Sequence, residues 1–289
     1  MDTGTKRDIS QPLADVQAGN RNWWTRQTMS YDWKDRVQLE KFSAEWFDEI
    51  DRRFLAGARL ISPDANPFGG LIGLDQLAGA RVLEIGCGMG LHAEMLARAG
   101  ALLTTIDISA TSVEATKKRF DVRGLAGEIW QMDAERLDFP DHSFDLVWSW
   151  GVIHHSARTG RIIREIARVL KPGGIAKIMV YNLGGMSAYI TLMLKYSRAF
   201  WFGHTSLDET LWRASDGFSA RFYTKDLFTD LLTTFFDDPD VRILGQEADA
   251  VPLPRKLRQL ACRLVSDAAQ RRLAARRGSF LFATARKPA

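Results

Sequence analysis

Between residues 81 and 181 the chain alternates short apolar runs with stretches of helical periodicity, and this alternation limits the folds open to it more than any other feature. RVLEIG is followed by LHAEMLARAG, and LLTTID by a helical stretch ending near Phe120. Then come EIWQMD, FDLVWSW, the helix RIIREIARVL, a Lys171-Pro172-Gly173-Gly174 turn and IAKIMVY. Strands separated by helices cannot pair as hairpins and instead form parallel β-α-β units. The expected class is therefore α/β, with a doubly wound sheet that holds its ligand beyond the carboxyl ends of the strands.

The first unit carries VLEIGCGMG, in which Gly86, Cys87, Gly88 and Gly90 follow an apolar strand and Glu84 stands just ahead. Glycines at that point form a tight strand-to-helix turn where a ligand approaches bare backbone. A dinucleotide site prefers G-x-G-x-x-G, with pyrophosphate at the helix N-terminus. Here the spacing is G-x-G-x-G, and Glu84 would set negative charge near those phosphates. A ligand with a cationic amine and a sulfonium, such as S-adenosylmethionine (SAM), fits the acid better. Asp107 ends LLTTID, where an acid can bind both ribose hydroxyls. Asp133-Ala134 follow EIWQMD, where a carboxylate and its neighbouring backbone can read an adenine edge. Acids at three successive strand ends describe an adenosine lying across the sheet edge.

On VLEIGCGMG, the acid in TTIDIS, MDAERLDFPDHSFDLVWSWGVIHH and RVLKPGG, the chain resembles the class I SAM-dependent methyltransferases, particularly the ubiquinone and menaquinone biosynthesis methyltransferase-like branch. RFYTKDLFTDLL looks like that family's helix before its sixth strand, and SFLFATARK like its antiparallel seventh. The resemblance implies a Rossmann-like, mostly parallel seven-stranded sheet of order 3-2-1-4-5-7-6, SAM as methyl donor and S-adenosylhomocysteine as product. It places Glu84, Gly86, Gly88 and Gly90 around the methionine part of SAM and Asp107 on the ribose. Ile108 packs on adenine in that scheme, Asp133 and Ala134 meet its edge, and Trp150 lines the cavity.

The rest of the chain divides around this core at 80–181. Residues 1–79 read as an unpatterned polar tail, to about residue 20, followed by a helical cover. Leu39, Phe42, Trp46, Ile50 and Phe54 recur at helical spacing and predict one helix from Trp33 to Leu60, broken by the Pro- and Gly-rich 62–70. Residues 182–220, with MSAYITLMLKYSRAFWF, read as an apolar lid or substrate insert. Residues 221–289 complete the sheet and include a basic helical insert, 251–278.

At 289 residues and 46% hydrophobic, the chain can bury one large core. Its start lacks the apolar stretch of a signal peptide, and no run approaches the roughly 18 apolar residues of a membrane span, so a cytoplasmic protein is expected. Cys87 and Cys262 are the only cysteines, which suggests reduced thiols and neither a disulfide framework nor a cysteine metal site. No metal is expected.

Methyl transfer from a sulfonium needs mainly an acceptor lone pair held in line and water excluded. A base is required only when the acceptor must lose a proton. His154 and His155, after the fourth strand, are the candidates for it. Tyr181 at the end of the fifth strand, Tyr31 in the N-terminal cover, and Tyr189 and Trp201 in the insert are candidate substrate contacts. The first functional reading is methylation of an oxygen or nitrogen atom of a small-molecule metabolite. A second has the basic segment 251–278 serve a lipid-linked or other large anionic acceptor at a membrane surface, nucleic acid being the poorer partner because no stacking aromatic punctuates it. A third is a non-catalytic SAM-binding subunit. Nothing in the sequence indicates an oligomeric state.

Overall fold

The computed structural model describes residues 11–30, 37–196 and 206–289. Its centre is a sheet of β1 (Arg81–Ile85), β2 (Leu102–Asp107), β3 (Glu128–Gln131), β4 (Phe144–Trp150), β5 (Leu170–Asn182), β6 (Phe222–Tyr223), β7 (Asp237–Leu244) and β8 (Phe280–Arg286). The main path runs β3-β2-β1-β4-β5-β8-β7. β1 to β5 pair in parallel, and β8 lies antiparallel to both β5 and β7. This is the expected order with one addition. The two-residue β6 pairs with the end of β5, Tyr181 opposite Phe222, so the sheet has eight strands rather than seven.

Successive strand residues point to opposite faces, and both faces are buried. Leu83, Val147, Ile178 and Ala283 face one core, and Val82, Leu146, Met179 and Phe282 the other. The first core receives Ile162, Ile163 and Ile166 of α6 (Thr159–Val169), whose Arg161 and Arg164 point to solvent. The second receives Ala93 and Leu96 of α4 (Leu91–Arg98) and Val113 and Phe120 of α5 (Ala110–Arg123). Burial on both faces explains why these strands read as near-continuous apolar runs.

The N-terminal region departs from expectation. Leu13–Arg26 form a helix, α1, where a polar tail was expected; it buries Val16 and Asn20 and packs on α5. The following helix, α2 (Ala44–Ala58), is shorter than the expected Trp33–Leu60. Ser43 caps it by accepting from the Trp46 N–H at 3.1 Å, Phe42 has φ +70°, and Leu39 is exposed. A short α3 (Gly69–Ile72) precedes β1. The insert after β5 forms α7 (Met186–Thr191), a π-helical turn Leu192–Tyr196 and α8 (Leu207–Ala214). Beyond α9 (Lys225–Thr233) and β7, the basic stretch consists of a short α10 (Glu247–Ala250), α11 (Arg255–Leu264) and α12 (Asp267–Arg277).

Candidate active site

The site lies where the strand order reverses between β1 and β4, a position that opens a crevice at the carboxyl ends of the strands. The Gly86–Gly90 turn joins β1 to α4 there. Gly86 and Gly88 have φ +90° and +52°, which side-chain-bearing residues avoid. A Cβ on Gly86 would stand 2.1 Å from Val152 Cγ2, whereas one on Gly88 meets nothing within 4 Å. Gly86 is thus forced by packing, and Gly88 leaves an open cradle.

The acids of β1 and β2 hold this turn in different ways. Asp107 accepts from the Gly88 N–H at 3.1 Å and the Ser109 N–H at 2.8 Å, although burial still pushes its carboxyl above the usual range. Glu84 is buried beneath the turn and accepts from the Thr105 hydroxyl at 2.6 Å. Burial pushes its carboxyl up to about 8, the Thr105 bond opposing and the charge of Asp107 adding to the shift. Arg119, also buried, ties the turn to its cover: it donates to the Met89 carbonyl at 3.1 Å, to Glu94 at 2.6 Å and to Asp51 of α2.

A cavity of about 560 Å³ opens above the turn, within the range of roughly 300–1,000 Å³ usual for small-molecule sites. Gly86, Cys87 and Gly88 form its floor, Asp107 and Ile108 one wall, Asp133 and Ala134 the next, and Trp150 the far side. Glu84 and Gly90 do not line it, contrary to expectation. Glu84 points into the sheet toward Thr105, and the Cβ position of Gly90 faces Arg119 and Thr116.

The roof is α1: an N-terminal cover was expected only beyond about residue 20, so Trp24 falls within it whereas Gln17 and Asn20 were read as polar tail. Gln17 donates to Asp133 at 2.9 Å and accepts from the Ala157 N–H at 3.0 Å. Asn20 donates to the His155 carbonyl at 2.6 Å, and Trp24 meets the His155 ring edge-on at 5.0 Å. All three line the cavity. Their i, i+3, i+7 spacing was the available signal, hidden because two of the three are polar.

The two histidines separate. His155 lines the cavity, and its Nδ1 lies 2.8 Å from the Ser219 carbonyl. A carbonyl only accepts, so Nδ1 carries the hydrogen and Nε2 the lone pair. His154 is buried off the cavity, its ring 3.9 Å from that of Tyr181 and 4.2 Å from that of His155. Its ring nitrogens make no well-formed hydrogen bond, and burial holds its pKa well below the ordinary value. It is a neutral packing residue, which corrects its expected catalytic role.

Tyr181 lines the cavity beside Phe280, whereas Tyr189 on α7 is exposed and turned away. The expected lid therefore does not wall the cavity with Tyr189. Tyr31 and Trp201 lie outside the described residues. At the end away from Asp107 the wall is aromatic: Phe54, His92, Trp150 and Phe280. His92, unmarked by any sequence motif, accepts from the Trp148 indole N–H at 3.3 Å and lies 4.6 Å from the Phe68 ring, and burial lowers its pKa to about 3. That wall is consequently uncharged.

Residues 83–178 match the methyltransferase domain family. A ubiquinone biosynthesis O-methyltransferase of Rhodopseudomonas palustris (strain BisA53) is 32% identical over 158 residues, 50% of this chain and 60% of that protein. A fatty-acid O-methyltransferase of Mycolicibacterium smegmatis is 41% identical over 98 residues, 33% of this chain and 35% of that protein. The chain spans about 60% of the length of the ubiquinone biosynthesis relatives it matches. Among solved structures, the Haemonchus contortus phosphoethanolamine N-methyltransferase 2, in complex with phosphomonomethylethanolamine and S-adenosylhomocysteine, superposes with TM-score 0.56 at 19% identity, covering 93% of this chain and 60% of that one. An S-adenosylmethionine-dependent methyltransferase of Mesorhizobium loti gives TM-score 0.52 at 17% identity, covering 76% and 97%. At such identities the likeness is one of fold.

Fold, crevice and family match point to one class: residues 83–178 match a methyltransferase domain, the surrounding sheet is that of class I SAM-dependent methyltransferases, and the sequence is similar to the ubiquinone-biosynthesis branch. The residues present suit SAM as cofactor: an open cradle at Gly88 and carboxylates of Asp107 and Asp133 around one cavity. Among the described residues no cluster of His, Cys, Asp or Glu could hold a metal, and no helix is long and apolar enough to cross a membrane.

Proposed function

We propose that this chain transfers a methyl group from SAM to an oxygen or nitrogen atom of a small-molecule acceptor. The observation that carries the reading is a single cavity bounded at one end by Gly88, Asp107 and Asp133, and at the other by the uncharged aromatic wall of Phe54, His92, Trp150 and Phe280. The first end supplies donors and acids suited to a nucleoside. The second suits an apolar or aromatic acceptor and keeps water from the reacting centre.

Gly88, Asp107, Ile108, Asp133 and Ala134 would hold the cofactor, which when bound supplies an electrophilic methyl group. Asp107 orients the ribose while its bonds to Gly88 and Ser109 keep the turn in shape. For a hydroxyl acceptor, His155 Nε2 takes the proton, and the bond from Nδ1 to the Ser219 carbonyl steadies the imidazolium that results. A neutral amine needs no such step, and positioning alone then suffices.

Calorimetry with SAM, S-adenosylhomocysteine and NAD tests the cofactor end. Binding of the first two and not the third is expected, and NAD binding without SAM binding would overturn the reading. Incubating protein and SAM with a metabolite extract, and searching by mass spectrometry for a product that gains one methyl, tests the acceptor end. SAM binding without any methylated product would favour the non-catalytic alternative.

A further inference from the structure

The outward side of α11 carries an apolar stripe. Leu257, Leu260 and Leu264, spaced three and four apart on one helical face, are 57%, 59% and 83% exposed, and Leu253 just ahead is 43% exposed. The helix is held to the body by another side, where Ala261 and Cys262 pack with Leu60, Ala250 and Ala274. An isolated exposed leucine needs no explanation, but an aligned set on an otherwise anchored helix does.

Charge identifies what covers the stripe. No acid occurs from 251 to 266. Lys256 and Arg263, both exposed, stand four before and three after Leu260 and so border the stripe directly. The nearby acids Glu247 and Asp267 are taken by Arg59 at 2.6 and 2.9 Å. Lys256, Arg258, Arg263, Arg271, Arg272, Arg276 and Arg277 enter no ion pair among the described residues. A second copy would set these cations against their own equivalents, and three leucines fall short of the roughly 800 Å² that each partner of a stable complex buries. Nucleic acid offers phosphates but gives leucines nothing to enter.

We infer that α11 is a docking surface for an anionic lipid bilayer, its leucines entering the acyl boundary and Lys256 and Arg263 meeting the headgroups. α11 touches α10, and the N-cap of α10 is Gln246, which lines the cavity. Docking therefore brings a bilayer to the part of the molecule that carries the cavity's Gln246 side. The docking does not depend on the methyltransferase reading.

The test is co-sedimentation of the full chain with phosphatidylcholine vesicles containing about 30% phosphatidylserine, and with phosphatidylcholine alone, at about 50 mM salt. Partitioning onto the anionic vesicles at least about tenfold stronger than onto the neutral ones is expected. Leu257→Gln, Leu260→Gln and Leu264→Gln combined should weaken it by about tenfold or more. Lys256→Glu with Arg263→Glu should do the same, each cation contributing about fivefold. S-adenosylhomocysteine binding, measured beside it, should be unchanged in both variants, since these side chains face solvent. If the triple variant loses that binding, the Leu264→Gln variant alone must still weaken partitioning about threefold or more. Equal partitioning on neutral vesicles, no partitioning, or an unaffected leucine variant would each overturn the inference, as would a dimer in sedimentation velocity that the leucine variant abolishes. Failure of wild-type protein to bind S-adenosylhomocysteine would instead count against the cofactor reading and leave the vesicle result standing.

Discussion

Glu84 makes the protein's stability depend on pH in a way that one substitution isolates. Its carboxyl titrates near 4.5 in an unfolded chain and is pushed up to about 8 in the fold, chiefly by burial. Between those values the folded state holds a proton that the unfolded state has released, so the contribution of Glu84 to stability is greatest below about pH 4.5 and is lost progressively as pH rises to about 8. One unit corresponds to about 1.4 kcal/mol, so between pH 5.5 and 7.5 Glu84 alone should remove about 2 to 3 kcal/mol. Glu84→Gln keeps an oxygen that accepts from Thr105 but has no proton to lose. Urea unfolding of both proteins at pH 5.5, 6.5 and 7.5, without ligand, gives the difference curve directly, because groups not coupled to Glu84 cancel. The variant should gain about 2 to 3 kcal/mol on wild type across that window. Parallel curves would show that Glu84 is ionised throughout, and that the burial argument is wrong.

Asp107→Ala removes the acceptor for the Gly88 and Ser109 N–H groups and, in the proposed cofactor site, the group that would bind the ribose. Each charge-assisted bond contributes about 1.5 to 3 kcal/mol, so S-adenosylhomocysteine affinity by calorimetry should fall at least about tenfold and the melting temperature should fall with it. Gly86→Ala meets Val152 at 2.1 Å in a left-handed backbone and should cost about 3 kcal/mol of stability, whereas Gly88→Ala should cost about 1 kcal/mol and act mainly by filling the cradle, which urea unfolding and ligand titration distinguish. His155→Ala should lower turnover of a hydroxyl acceptor about 10²-fold with little change in SAM affinity, while His154→Ala should cost about 3 kcal/mol of stability; the reverse pattern would reassign the base.

The alternation of strands and helices from Arg81 to Tyr181 and the acids at successive strand ends were legible in local periodicity and in the position of a residue relative to the end of its own strand, whereas the reversal of strand order came only as what the family resemblance implied. The glycine turn was legible for the same reason, since its backbone angles are a property of those few residues. Other features depend on groups far along the chain, and only the tertiary structure decided them. Gln17 and Asn20 looked like part of a polar tail because Asp133 and the His155 carbonyl, more than a hundred residues away, supply the hydrogen bonds that make them a roof. Of the adjacent His154 and His155, the Ser219 carbonyl anchors one at the cavity, and the packing of Tyr181 buries the other. Glu84 heads a motif that reads as ligand-binding, yet a strand side chain must point to one face or the other, and Thr105 on the neighbouring strand draws it inward. The leucines of α11 show the converse. Their spacing predicts a buried face, but the helix is held by Ala261 and Cys262, and a contact made elsewhere in the fold leaves the apolar stripe in solvent.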